Sequence, residues 1–168
     1  MSKGQIIAVD LIVSLVIFVT AFVIALIAAN RVTDQIKMSY EINLLDKKVQ
    51  RISDVLIRTE GLPSNWNEVP EDEIRSIGLA EYEYILNYSK IDRFRNIDAE
   101  KVRKLLGTGE YKFYVSITNI TQGNFPEGAI TAGNEPSNAE VIVSINRYAL
   151  INFGERREMG VMSFVLWR

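Results

Sequence analysis

The side chains able to do chemistry are few and of restricted kinds. Six carboxylates, Glu68, Glu71, Asp72, Glu73, Glu81 and Glu83, fall in one short stretch, and oxygen-rich sets of this sort can hold Ca²⁺. They lack the Asp-x-Asp-x-Asp-Gly order that makes a calcium loop specific. Their spacing better fits a solvated helix start, with Glu71 and Asp72 complementing the helix dipole. A basic stretch follows, Lys90, Arg93, Arg95, Lys101, Arg103 and Lys104, interrupted by Asp92, Asp98 and Glu100. It can offset an acidic surface of a neighbouring subunit, pair with the acidic stretch of its own chain, or stay solvated. Asn87-Tyr88-Ser89 and Asn119-Ile120-Thr121 are N-glycosylation sequons, meaningful where the residues are exported. Trp66, close to Pro63, is expected to plug its loop onto a core. The chain has no Cys and no His. Thiolate and imidazole metal sites, disulfides, Cys nucleophiles and His bases are all excluded. No cofactor is expected. Nineteen Lys and Arg against 21 Asp and Glu give a formal charge of −2, which suggests no nucleic-acid partner.

The elements that must position these groups begin with an apolar run. Of the 168 residues 48% are hydrophobic, but between Ile6 and Ala29 only Asp10, Ser14 and Thr20 are not. From Leu11 to Ala29 no residue is charged; as a helix this stretch extends ~28 Å, close to the hydrocarbon thickness of a bilayer. It is too long for the apolar core of a cleaved secretory signal, and a membrane-inserted helix is the better reading. Asp10 is the one carboxylate inside the run. At mid-span it would cost about 2.5–3.5 kcal/mol, less near an end. It either reaches the headgroup level or meets a cationic partner within a protein assembly.

Helical periodicity continues past the membrane edge. Met38, Ile42, Leu45, Val49, Ile52 and Leu56 form a heptad-like stripe, and neither Pro nor Gly occurs between Gln5 and Glu60. A single helix over residues 6–58 would be roughly 80 Å long, ended by Gly61 and Pro63. With fewer than three heptads, the stripe is expected to pack on the chain's own globular part rather than in a coiled coil.

Shorter elements follow Gly61. Asp98 as N-cap, Ala99 to Leu106 and then Gly107 predict a short helix with Val102, Leu105 and Leu106 inward. Three strands are predicted by alternation: around Tyr111–Thr118, Val141–Asn146 and Val161–Trp167. A hairpin near Asn152–Glu158 containing Gly154 joins the last two. Residues 121–138, rich in Gly, Asn and Pro, read as a long exposed loop. The expected fold is α+β: a long hydrophobic helix continues into an amphipathic one, packed against a carboxy-terminal antiparallel sheet. The one boundary visible in composition is near Asn30–Thr33, where the apolar run ends.

Lys3-Gly4-Gln5 followed by an apolar run with an early acid resembles the amino terminus of archaeal type IV pilin precursors. Looser similarity continues in Gly61-Leu62-Pro63-Ser64-Asn65-Trp66, Ile77-Gly78-Leu79-Ala80, Ser89-Lys90-Ile91 and Lys104-Leu105-Leu106-Gly107. In that family a membrane peptidase cuts after the Gly of a short basic leader, and the apolar segment serves first as anchor and then as filament spine. The resemblance implies a leader at 1–4 cut between Gly4 and Gln5, a membrane or spine helix at 5–30, its amphipathic continuation at 31–60 and an exported globular part at 61–168. The implied partners are the prepilin peptidase, the membrane before assembly, and other pilin subunits through the amino-terminal helix. The family's acid commonly stands at the fifth mature position, where it is thought to pair with a neighbour's terminal amine. Here that position is Val9 and the acid, Asp10, is the sixth, a departure that points to a minor or tip subunit.

Three function classes follow. One is a pilin-like structural subunit. Another is a permanently anchored single-span envelope protein, such as a stator or a binding module. The third, a membrane-tethered enzyme, would need carboxylate, Lys or Ser chemistry that no spacing here assembles. Charge counting disagrees with an external domain: Lys3 precedes the span, whereas Arg31, Lys37, Lys47 and Lys48 follow it. Long domains translocate largely regardless of such counts, so the orientation expected here is that of the resemblance.

Overall fold

Helix α1 runs from Lys3 to Arg58, 56 residues, in a computed structural model that describes the backbone of residues 3–120 and 129–168 and, within these, side chains from Leu11 onward. The helix ends where the sequence expects it, before Gly61. Two compact units divide the chain, Met1–Glu41 and Ile42–Arg168. The apolar composition ends near Asn30, but the second unit takes up the helix only from Ile42, just before its first buried residue, Leu45.

After α1 come β1 (Gly61–Leu62), a 3-10 turn (Glu71–Glu73), β2 (Ser76–Ile77), β3 (Ala80–Tyr82), β4 (Ile85–Asn87), α2 (Tyr88–Arg95) and α3 (Ala99–Leu106). Strands β5 (Lys112–Asn119), β6 (Ile130–Gly133), β7 (Ile142–Asn152) and β8 (Arg157–Trp167) complete the chain. The α3 helix has its expected bounds. Asp98 Oδ1 accepts from Glu100 N and Lys101 N, both at 3.1 Å, and Gly107 takes the left-handed conformation at φ 66°. The acidic stretch, read as a helix start, makes only the single 3-10 turn, because Pro70 opens it and Ile74 is already extended.

Six strands form the main sheet in the order β3-β4-β7-β8-β5-β6, and β1 pairs with β2 separately. The fold class is α+β, but the sheet is mostly rather than wholly antiparallel: β4 lies parallel to β7, with Ile85 opposite Leu150. A parallel pair needs a long crossover, and here α2, α3, β5 and β6 all lie between the two strands. The loop expected over 121–138 contains β6, in which Ile130 and Ala132 are buried and Thr131 and Gly133 exposed. Four residues are too few for alternation to register in a Gly- and Asn-rich sequence. Residues 121–128 lie outside the described part.

The sheet's inner face carries Phe113, Val115 and Ile117 of β5, Ala149 and Ile151 of β7, and Met162, Phe164 and Leu166 of β8. Leu45, Val49, Ile52 and Leu56 of α1 join the same core, with Ile91 and Phe94 of α2 and Val102 and Leu106 of α3. Leu105 is only partly buried. The helical stripe therefore packs on its own domain as expected, but only from Leu45. Its first two members, Met38 and Ile42, are 56% and 39% exposed.

Candidate functional site

The most distinctive surface of the chain is the apolar length of α1. From Leu11 to Ile27, Leu, Ile, Val and Phe side chains stand exposed at successive positions rather than along one stripe. A helix apolar on every side needs lipid or other protein all around it. Its most apolar window has a mean hydropathy of 3.1 and none of it is buried within the chain. Nothing in the backbone argues against an apolar surrounding, since a helix satisfies its own peptide groups. The hydroxyls conform as well: Thr20 Oγ1 donates to Val16 O at 2.7 Å and Thr33 Oγ1 to Ala29 O at 3.0 Å. Phe18 and Phe22, one turn apart, stack at 6.4 Å. By length and composition this helix can cross a membrane. Gly4, Gln5 and Asp10 belong to the same helix by backbone; their side chains lie outside the described residues.

On the globular unit the acidic and basic stretches meet within the chain. Glu71 faces Lys101 Nζ at 3.4 Å and Arg93 at 3.9 Å. Glu83 pairs with Arg58 at 3.4 Å, and Glu81 accepts from Asn152 Nδ2 at 2.5 Å. The acidic cluster is thus dispersed, and among the described residues no group of three metal-capable side chains forms. Most of these ion pairs are solvent-exposed and each contributes little to stability.

Lys90 behaves differently from the surface cation its sequence context suggests. It is 6% exposed, and its Nζ donates to Glu60 O at 2.8 Å and Ala80 O at 3.0 Å, fastening the start of α2 to β3 and to the exit of α1. Burial pushes its ammonium below the ordinary 10.5, while the charges of Glu60 and Glu81 act the other way. Between the lowered folded value and 10.5 the unfolded chain binds more protons, so this group's contribution to stability rises with pH across that window. A neutral amine still has two N–H groups for the same two carbonyls. Relative to a Lys90→Met variant, the wild-type unfolding free energy should therefore climb from neutral pH toward 10.5. Urea titrations of both proteins over that range measure it, and a difference that falls with pH contradicts the assignment.

The two sequons occupy unlike places. Asn87 is half-buried at the N-terminus of α2, where its Oδ1 accepts from Lys90 N at 3.3 Å. Asn119 is 5% exposed in β5, and its Nδ2 donates to Glu158, itself 4% exposed and 3.0 Å from Arg156 Nε. The Asn119 sequon thus sits on a buried side chain, unlike that of Asn87. The atom a glycan would use is buried and already hydrogen-bonded, and no triplet pattern reports burial. Trp66 is fully buried, as expected of a plug, and donates from Nε1 to Gly78 O at 2.8 Å.

Sequence reasoning missed Lys90 as a buried cation and Glu158 as a buried carboxylate. Neither carries a local signal, because each is buried by partners distant in sequence. Comparison with family models, with curated proteins and with solved structures returns no match.

Proposed function

We propose that this chain is a structural subunit, minor or terminal, of an archaeal type IV pilus-like filament, held in the membrane by α1 before assembly. The observation that carries the reading is the uncovered apolar length of α1, with no part of its most apolar window buried. Assembly exchanges lipid around that helix for the helices of other subunits, so the apolar side chains stay out of water throughout. The globular unit then lies on the outside of the cell. Asp10 joins the spine as its single acid, at the sixth position once Gln5 becomes the first residue, one place beyond the family's usual acid. The Lys3-Gly4-Gln5 sequence supports processing between Gly4 and Gln5. The enzyme class receives no support: no spacing of carboxylate, Lys or Ser side chains assembles a catalytic set, and Glu71, Glu81, Glu83, Lys90 and Lys101 are engaged with other side chains or with backbone carbonyls.

A permanently anchored single-span protein would present the same helix without leader removal. Mass spectrometry of the protein in sheared, purified surface filaments separates the two. The expected result is a chain beginning at Gln5 and present at low abundance relative to the main subunit. A chain that begins at Met1 or Ser2 and is absent from filaments overturns the proposal in favour of the anchored form.

A further inference from the structure

We infer that Asn87 carries an N-linked glycan in the folded protein, that the first sugar seats in the cavity beside it, and that Asn119 stays bare. This rests on the external placement of the globular unit proposed above.

The two functional groups of the Asn87 amide have separate tasks. Its Oδ1 caps α2 by accepting from Lys90 N, with the backbone extended at φ −88° and ψ 122°. Its Nδ2, the atom that bonds to a glycan, makes no hydrogen bond among the described residues. Substitution at Nδ2 therefore leaves the cap in place. Ser89, the third residue of the triplet, is exposed.

Asn87 also lines an open cavity of about 330 Å³ together with Asn65, Asn67, Glu68 and Tyr82, a volume at the lower end for small-ligand sites. Tyr82 is 63% exposed and offers a ring face for the apolar side of a sugar. The side-chain amides of Asn65 and Asn67 have no hydrogen-bond partner among the described residues. They can therefore pair with hydroxyls as donor or acceptor. Three carboxylates, Glu60, Glu68 and Glu81, against one ammonium, Lys90, make the lining net negative and favour a neutral sugar over an acidic one.

Asn119 offers none of this. Its Nδ2 is hydrogen-bonded to the buried Glu158 carboxylate, and Asn119 closes β5 opposite Gly160 of β8. A sugar there would need room that a side chain only 5% exposed does not have, beside a carboxylate that is itself 4% exposed. Whatever the timing of modification, a chain modified at Asn119 could not reach this fold. The bond-forming step at Asn87 takes its saccharide from a polyprenyl-phosphate-linked donor. The Nδ2–C1 bond forms as the C1–O bond breaks, Nδ2 gives up one proton, and the lipid phosphate leaves with the electron pair.

The test uses the full chain purified from its native cells. Peptide mass spectrometry should find a saccharide mass on the Asn87 peptide and none on the Asn119 peptide. Ser89→Ala should abolish it and Ser89→Thr keep it, both leaving the Asn87 cap intact. Tyr82→Ala should retain attachment and speed endoglycosidase release up to about tenfold, the factor that corresponds to about 1.4 kcal/mol; an unchanged rate overturns the seating in the cavity. A Glu155→Cys variant, in a chain otherwise free of Cys, reports exposure through an impermeant maleimide on intact cells. Labelling with Asn87 bare, or with Asn119 modified, overturns this inference and leaves the external placement standing. Absence of labelling overturns both.

Discussion

A chain lacking residues 1–30 is expected to stay in water as a folded domain, while the full chain partitions into bilayers. Thirteen Leu, Ile, Val and Phe side chains between Leu11 and Ile27 stand 46–67% exposed. At about 0.3–0.6 kcal/mol each on insertion scales they favour the bilayer by about 4–8 kcal/mol, or roughly three to six powers of ten in partitioning. None of these side chains belongs to the core of the second compact unit, which begins at Ile42 and first uses the helix at Leu45. Removing them therefore takes away the membrane affinity and leaves the packing. A single charge tests the same account: Val19→Arg, near the middle of the span, should weaken insertion by about 2.5–3.5 kcal/mol. Flotation with liposomes and circular dichroism of the 31–168 chain measure both effects. A full chain that stays in the aqueous fraction, or a shortened one that has lost its secondary structure, would refute the separation of roles.

Most of what could be read in the sequence was local. The end of α1 at Arg58 depends on Gly61 and Pro63, and the bounds of α3 on Asp98 and Gly107, each within a few residues of the feature it determines. Strands β5, β7 and β8 alternate over eight or eleven residues, long enough for the period to stand out. That period separates Met162, Phe164 and Leu166 of β8 from Val161, Ser163 and Val165, while the choice of the first set as the inward one comes from the packing of the sheet. What escaped was set by partners far along the chain. The parallel pairing of β4 with β7 joins Ile85 to Leu150, and the two intervening helices give no sign of it. Lys90 reads as one of a basic series until Glu60 and Ala80 are found at its ammonium. Asn119 is buried because β5 pairs with β8, which brings Glu158 to its side chain. For Asp10 the deciding partner belongs, on the proposed reading, to another subunit, so neither its own sequence nor its own fold can supply it.

Replacing Trp66 with Ala is expected to be the most damaging single change in the globular unit. Its indole is fully buried and donates to Gly78 O, in the bend between β2 and β3. It thereby closes the loop that leaves α1 onto the strands that follow. Gly61, at φ 85°, lets the chain pass so close that a Cβ there would lie 2.5 Å from Trp66 Cδ1. Gly61 in turn pairs with Ile77. Leu79 N and Ala80 N donate to Leu56 O and Thr59 O at the end of α1. One side chain therefore holds the helix exit, β1 and β2 in mutual register. Truncating a buried Trp costs about 3–5 kcal/mol, against a total of about 5–15 kcal/mol for an ordinary domain. The midpoint of thermal unfolding should fall by roughly 10–20 °C. Trp66→Phe keeps most of the ring and loses the hydrogen bond, leaving Gly78 O without its donor, for about 1–3 kcal/mol. Gly78→Ala attacks the same junction from the other side, since its Cβ would collide with the Thr59 carbonyl, a backbone atom that cannot swing aside. Denaturant unfolding of the three variants followed by circular dichroism gives the ranking. If Trp66→Ala loses no more than Trp66→Phe, the indole is not the clamp, and the junction is held by the backbone bonds alone.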